Sequence, residues 1–136
     1  FLDLDLNIPQ QSYQGTCTIR LKPIRTGIDR LTLDAVNLNI ESVQIGKALQ
    51  DFDYDGEQLH IRLKQPTAAG KGIELAIAYS VEKPQRGIYF IAADQHYPDK
   101  STQVWTQGED EDSRFWFPCF DYTGQLATSE IRVRVP

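Results

Sequence analysis

The residues with the most chemistry in this chain lie between Val104 and Tyr122, where the sequence reads VWTQGEDEDSRFWFPCFDY. Glu109, Asp110, Glu111 and Asp112 are four carboxylates in a row, followed at once by Ser113 and Arg114. Their mutual repulsion is tolerable where most of them face water or meet a cation. The local reading is therefore a solvated acidic loop in front of an aromatic block closed by Pro118. The two histidines, His60 and His96, stand in unrelated segments with no second His or Cys at metal-ligand spacing. No H-E-x-x-H helix, G-x-S-x-G elbow or Gly-rich phosphate loop occurs. The expectation is that these residues contain no catalytic group and no metal site of their own.

The elements that must position this segment follow from strict alternation, because a strand with one buried face sends every second side chain to the core. Leu2, Leu4, Leu6 and Ile8 alternate with Asp3, Asp5 and Asn7, and Cys17, Ile19 and Leu21 alternate with Thr16, Thr18, Arg20 and Lys22. Leu31, Leu33 and Ala35 continue the scheme before Leu38 and Ile40. Asp55-Gly56 supplies the positive φ of a tight hairpin ahead of Leu59, Ile61 and Leu63. After the loop Pro66 to Gly72, Ile73, Leu75, Ile77, Tyr79 and Val81 form the longest clean alternation, with Ala76 and Ala78 on its other face. The turn KPQRG precedes a compact strand Ile88 to Ala92, Gln103 to Gln107 is another, and Ile131, Val133 and Val135 alternate with Glu130, Arg132 and Arg134 at the end. Without long helical periodicity, these short strands predict an all-β fold: an antiparallel sandwich or a large curved, twisted sheet of many short strands.

The 136 residues fit one domain with one core. A net charge of -5 disfavours nonspecific attraction to phosphate backbones and anionic membranes, so neither nucleic acid nor membrane is expected as a partner. Cys17 and Cys119 are too few and too far apart for a disulfide framework and read as buried free thiols, which favours a reducing compartment. The opening FLDLDLNI shows no basic start and apolar block, so no signal peptide is visible. Both ends of the chain lie inside strand patterns, which leads to the expectation of a segment cut from a longer polypeptide.

Thr106, Gln107 and Glu109, then Ser113 and Arg114, then Phe117, Pro118, Cys119 and Asp121 form T-Q-x-E, S-R and F-P-C-x-D. This run resembles the closing part of the amino-terminal domain of zinc aminopeptidases of the aminopeptidase N type. Gly87 to Phe90 after Pro84, the opening L-D-L-D and the Gly15 to Leu21 strand are similar to further stretches of that domain, so the resemblance covers nearly the whole chain, residues 1–136. It implies an amino-terminal β-domain truncated at its C-terminal end, with zinc bound by a downstream catalytic domain of the same chain. Peptides with a free amino terminus are the implied substrates, and the cytoplasm is the expected location. Glu109 is implied to hold the substrate α-amine and Gln107 to assist by lining the first side-chain pocket or contacting nearby backbone. A charge-assisted bond of this kind is worth about 1.5–3 kcal/mol and fixes register.

Around that anchor, Arg114 and Asp121 read as a bidentate structural brace, and Phe115, Trp116, Phe117 and Phe120 as core anchors. Cys119 reads as small buried packing, and Asp110, Glu111 and Asp112 as solvated acids. Where the family has D-E-P, this chain has Asp121, Tyr122 and Thr123, losing a turn-setting proline. The W-F-P-C version of the block also resembles a noncatalytic branch of the same architecture, the large TATA-box-associated transcription factor subunit. The complete T-Q-x-E favours the peptidase branch.

Overall fold

The computed structural model describes all 136 residues. Eleven strands run through the chain: β1 (Leu2–Asn7), β2 (Ser12–Leu21), β3 (Arg30–Asp34), β4 (Asn39–Ile45), β5 (Ala48–Leu49), β6 (Asp51–Tyr54), β7 (Gln58–Arg62), β8 (Ile73–Glu82), β9 (Ile88–Ile91), β10 (Gln103–Thr106) and β11 (Ile131–Arg134). The only helical element is a single 3-10 turn over Ser113–Phe115. No helix is long and apolar enough to cross a membrane.

Three sheets result: a six-stranded one in the order β11-β1-β2-β8-β4-β5, a three-stranded one in the order β3-β7-β6, and the ribbon β10-β9. Alternation explains how they pack. The buried residues of β8, namely Leu75, Ile77, Tyr79 and Val81, are the odd-numbered ones, and those of β7 are Leu59 and Ile61. Both sets join Leu2, Leu4, Leu33 and Val43 in one hydrophobic cluster, so the six- and three-stranded sheets share a single core. Fully burying each of these large side chains contributes roughly 1.5–3 kcal/mol. Asp55 shapes the β6–β7 hairpin as expected: its carboxylate accepts the backbone N–H groups of Glu57 and Gln58 at 2.8 and 2.6 Å, and Gly56 takes φ +95°.

The last strand differs from expectation in two ways. β11 pairs with β1 in parallel, with Leu2 opposite Ile131 and Leu4 opposite Val133, whereas every other pairing is antiparallel. Ile131 and Val133 thus share a face with core residues, yet they remain 51% and 46% exposed. The layer that covers Leu2 and Leu4 stops short of this edge strand. On the opposite face Arg134 contacts Asp3 at 2.6 Å and also pairs with Asp5, and Arg132 lies 3.5 Å from Asp3.

Candidate functional site

The acidic loop is delivered by the β9–β10 ribbon. Ile88 is buried, and Phe90 and Val104 pack against the core, so alternation turns Tyr89 and Trp105 outward. There their rings stack at 4.3 Å across the two strands. The pairing extends one step past the strand, because Gln107 N–H donates to the Gly87 carbonyl at 2.8 Å. The chain then turns through Gly108 to Asp112, whose N–H returns to the Gly108 carbonyl at 3.1 Å, and enters the 3-10 turn. The Glu109–Asp110 peptide bond is cis. Gln107 and Glu109 are both exposed. Neither side chain has a hydrogen-bond or ion-pair partner within the chain, whereas Glu111 and Asp112 both do.

Beneath the loop, the aromatic block is fixed from three sides. Trp116 is 6% exposed, and its carbonyl accepts the hydroxyls of Tyr13 at 2.7 Å and Tyr79 at 3.1 Å, residues of β2 and β8 whose rings meet edge to face. Cys17 Sγ donates to the Pro118 carbonyl at 3.3 Å. Cys119 exchanges both backbone hydrogen bonds with Asp34, at 2.8 and 3.0 Å, which makes it a one-residue extension at the end of β3. The F-P-C segment is therefore bound to both layers of the sandwich, and the loop that precedes it starts from a rigid floor.

That floor has a pH limit. Burial pushes the Cys17 thiol up to about 12 and raises the Tyr13 and Tyr79 hydroxyls and the Cys119 thiol above their ordinary values. A group that is harder to ionise in the fold than in the unfolded chain stabilises the fold below its unfolded value and loses that contribution as pH climbs toward the folded one. Stability is thus expected to be level up to roughly pH 8.5 and to fall steeply above it, the lowest of the four unfolded values being near there. Urea midpoints at pH 8 and pH 11 test this, and Cys17→Ala should make the decline shallower without moving its onset, because the Cys119 thiol shares the same unfolded value.

The charged groups depart from expectation in informative ways. Arg114 does not form a fork onto one carboxylate. Its Nε donates to Asp121 Oδ2 at 3.0 Å, its Nη2 to the Asp121 carbonyl at 3.0 Å and to Glu111 Oε2 at 3.1 Å, and its Nη1 lies 3.7 Å from Asp34 Oδ1. Asp121 in turn accepts the Arg114 backbone N–H at 3.1 Å. One guanidinium thus joins the acidic loop, the 3-10 turn and β3. Asp112 is 7% exposed and pairs with Arg86 at 2.8 Å, so it is no solvated acid, and neither is Glu111 unpaired. Phe120 is 41% exposed, and Phe115 and Phe117 are half-buried, leaving Trp116 as the block's one fully buried ring. Cys119 is half-buried, not fully enclosed. No group of three or more His, Cys, Asp or Glu side chains is arranged to hold a metal ion, and His60 Nδ1 is 3.0 Å from Thr32 Oγ1.

The family model of the peptidase M1 N-terminal domain matches residues 1–136. The chain belongs to that family. Mouse (Mus musculus) aminopeptidase B is 34% identical over 88 residues, covering 64% of this chain and 13% of its own length. Zebrafish (Danio rerio) transcription initiation factor TFIID subunit 2 is 27% identical over 107 residues, covering 73% of this chain and 9% of its own. Native leukotriene A4 hydrolase from Saccharomyces cerevisiae has the same fold, with a TM-score of 0.82, 22% identity, and coverage of 99% of this chain and 22% of that one. The M1 zinc metallopeptidase from Deinococcus radiodurans has it too, at 0.78, 20%, 99% and 31% respectively. The chain therefore spans only a small part of the length of the proteins it matches.

Within this M1 domain, two contributors to the site carry no sequence signal of their role. Arg86 sits in a turn of unremarkable composition, and Asp34 closes a strand; only the fold brings them to Asp112 and Arg114. Gly87 is more legible, since a glycine after KPQR suggests a backbone that others avoid. It takes φ +82°, and a Cβ there would lie 2.8 Å from Trp116 Cδ1 and 2.9 Å from the Asp112 carbonyl. Gly87→Ala should destabilise the M1 domain by about 2–4 kcal/mol, combining the left-handed penalty with overpacking. Gly56→Ala, at φ +95° with nothing within 4 Å, isolates the first of those terms and should cost about 1–2 kcal/mol. Thermal unfolding of both variants separates the two contributions.

Proposed function

We propose that residues 1–136 form the larger part of the amino-terminal domain of a zinc metalloaminopeptidase and supply the group that recognises the free amine of a peptide substrate. Glu109 is that group, and Gln107 assists it. One observation carries the reading: in a loop secured on both sides, the Glu109 and Asp110 carboxylates are exposed and without partners, while Glu111 and Asp112 are neutralised by Arg114 and Arg86, and of the two free acids Glu109 is the one at the T-Q-x-E position. An acceptor held in place but unsatisfied is suited to an incoming cation, and an ammonium at the end of a peptide is such a cation. When the site is closed over by a neighbouring domain and partly dried, the bond strengthens and sets which amide is presented for cleavage.

The zinc belongs outside these residues, because the side chains present form no metal-binding group. In the catalytic domain it would polarise the scissile carbonyl and favour attack by water. The role of this chain is binding and orientation. The Deinococcus enzyme of the same fold has been described with a Tyr-Ser-Ala substrate bound, which is consistent with peptides as ligands of this architecture. Cys17 and Cys119 are unpaired, in keeping with the cytoplasm as the location we assign.

A scaffold role is the second reading, favoured by the 27% identity with TFIID subunit 2 over 107 residues. Hydrolysis of amino-acid anilides by the full-length polypeptide, with and without a zinc chelator, decides between them. Chelator-sensitive release of the amino-terminal residue is expected. A well-folded full-length protein with no bound zinc and no hydrolysis would establish the scaffold.

A further inference from the structure

Resting on the reading of Glu109 as the amine anchor, we propose that the Arg86–Asp112 ion pair is the positioning lock of that anchor, acting on substrate only through Glu109. The first argument is burial. The Asp112 side chain is 10% exposed, whereas that of Glu111 is 53% exposed. A carboxylate taken out of water is costly unless it is paired, and its one ionic partner is Arg86 Nη2 at 2.8 Å.

The second argument is orientation. Asp112 occupies the cap position of the 3-10 turn, where an aspartate side chain ordinarily accepts a backbone N–H of the first turn, yet it makes no such bond. Its carboxylate turns toward Arg86 instead. Arg86 is itself held in place, its guanidinium lying 4.6 Å from the centre of the Phe115 ring.

The third argument is connectivity. Arg86 and Gly87 are consecutive, and Gly87 accepts the Gln107 N–H. The loop is thus tied at its first residue and at its last to two neighbouring residues of one turn. Glu109 lies between the ties and makes no contact of its own that would hold it. Releasing the Asp112 carboxylate removes the buried tie at the end of the loop, leaving the Gly108–Glu111 stretch held by the more exposed Glu111–Arg114 pair and by the Asp112 N–H bond to the Gly108 carbonyl. Arg114 also ties the loop, through Glu111 Oε2 at 3.1 Å, but that carboxylate is largely exposed and Arg114 forms no ion pair with Asp112, so the lock is separable from the floor.

The test uses the full-length polypeptide with its catalytic domain, leucine anilide as substrate, and two competitive inhibitors, leucine amide and its deamino analogue. Asp112→Asn and Arg86→Gln should each raise KM and the leucine amide inhibition constant by about 5- to 10-fold while changing kcat less than about 2-fold, the pattern of lost uniform binding. Binding of the deamino analogue should stay unchanged. In a Glu109→Gln background the effect of Asp112→Asn should vanish, because residues that act through one group are not additive. Arg86→Lys, which keeps the charge, should recover part of the loss. An undiminished effect in the Glu109→Gln background, an equal loss for the deamino analogue, or no loss in either variant would overturn the lock. Should Asp112→Asn fail to fold, Arg86→Gln carries the same comparison. If Glu109→Gln alone leaves leucine amide binding untouched, the anchor reading itself fails; if it weakens binding and the pair variants do not, only the lock fails.

Discussion

If the full-length polypeptide is the aminopeptidase we propose, Glu109→Ala in it should lower kcat/KM for substrates with a free amine by about 10- to 100-fold, the equivalent of the roughly 1.5–3 kcal/mol expected of a hydrogen bond to a charged group. The size follows from the exposed and unpartnered carboxylate: no internal contact is lost, so the fold should be untouched and the deficit confined to substrate. Asp110→Ala provides the control. Asp110 is also exposed and outside the ion pairs, so a general effect of loop charge would appear there as well. A change under about 2-fold is expected for it, given the weak field between exposed charges at physiological salt. The Glu109→Ala deficit should shrink as pH rises past about 8, where a substrate α-amine loses its proton and the charge the carboxylate would meet. A deficit that is the same for amino-blocked ligands, or independent of pH, would argue against an amine contact.

Arg114→Met has the largest expected effect on stability, about 3–5 kcal/mol. Its side chain is 24% exposed and that of Asp121 10%, so the pair sits under the loop and away from bulk water. Removing the guanidinium leaves Asp121, Asp34 and Glu111 facing one another without a cation, and the Asp121 carbonyl loses a donor as well. Methionine preserves much of the side-chain volume, so the loss reports charge and hydrogen bonding more than packing. The thermal midpoint should fall by more than about 10 °C for a domain of this size. Arg114→Lys should recover a minor part only, because an ammonium cannot reach a carboxylate, a carbonyl and a second carboxylate with one planar group. Full recovery by lysine would mean that the network needs only charge at this point.

The two predictions divide the site into an exposed acceptor and a buried brace. The lock between Arg86 and Asp112 lies between them: one partner is buried, the other more than half exposed. Graded exposure has a physical use here. Groups that fix backbone are kept from water, in surroundings where their bonds are stronger, and the group proposed to meet a ligand is left wet and unpaired.

The sequence alone determined much of this protein. Alternating residues specified which face of β1, β2, β7 and β8 is buried, because side-chain direction in a strand depends only on position parity. The Asp55-Gly56 turn was legible for a similar reason, since its conformation is dictated by two adjacent residues. Membership of the family was legible in the T-Q-x-E and F-P-C-x-D run, which is also the basis for proposing Glu109 and Gln107 as substrate-binding residues. Only the tertiary structure decided what surrounds them. The parallel pairing of β11 with β1 joins residues far apart in the chain, and no local pattern encodes whether a neighbouring layer reaches Ile131 and Val133. Asp112 reads like its three acidic neighbours until the fold brings Arg86 to it. The sequence pairs Arg114 with Asp121, seven residues away; Asp34 joins the same guanidinium because β3 ends beneath it, and Glu111 joins it because the turn into the 3-10 element brings the side chain three residues back within reach. Parity and turn chemistry are local properties, whereas the pairing of charges depends on distances that exist only after the sheets have packed.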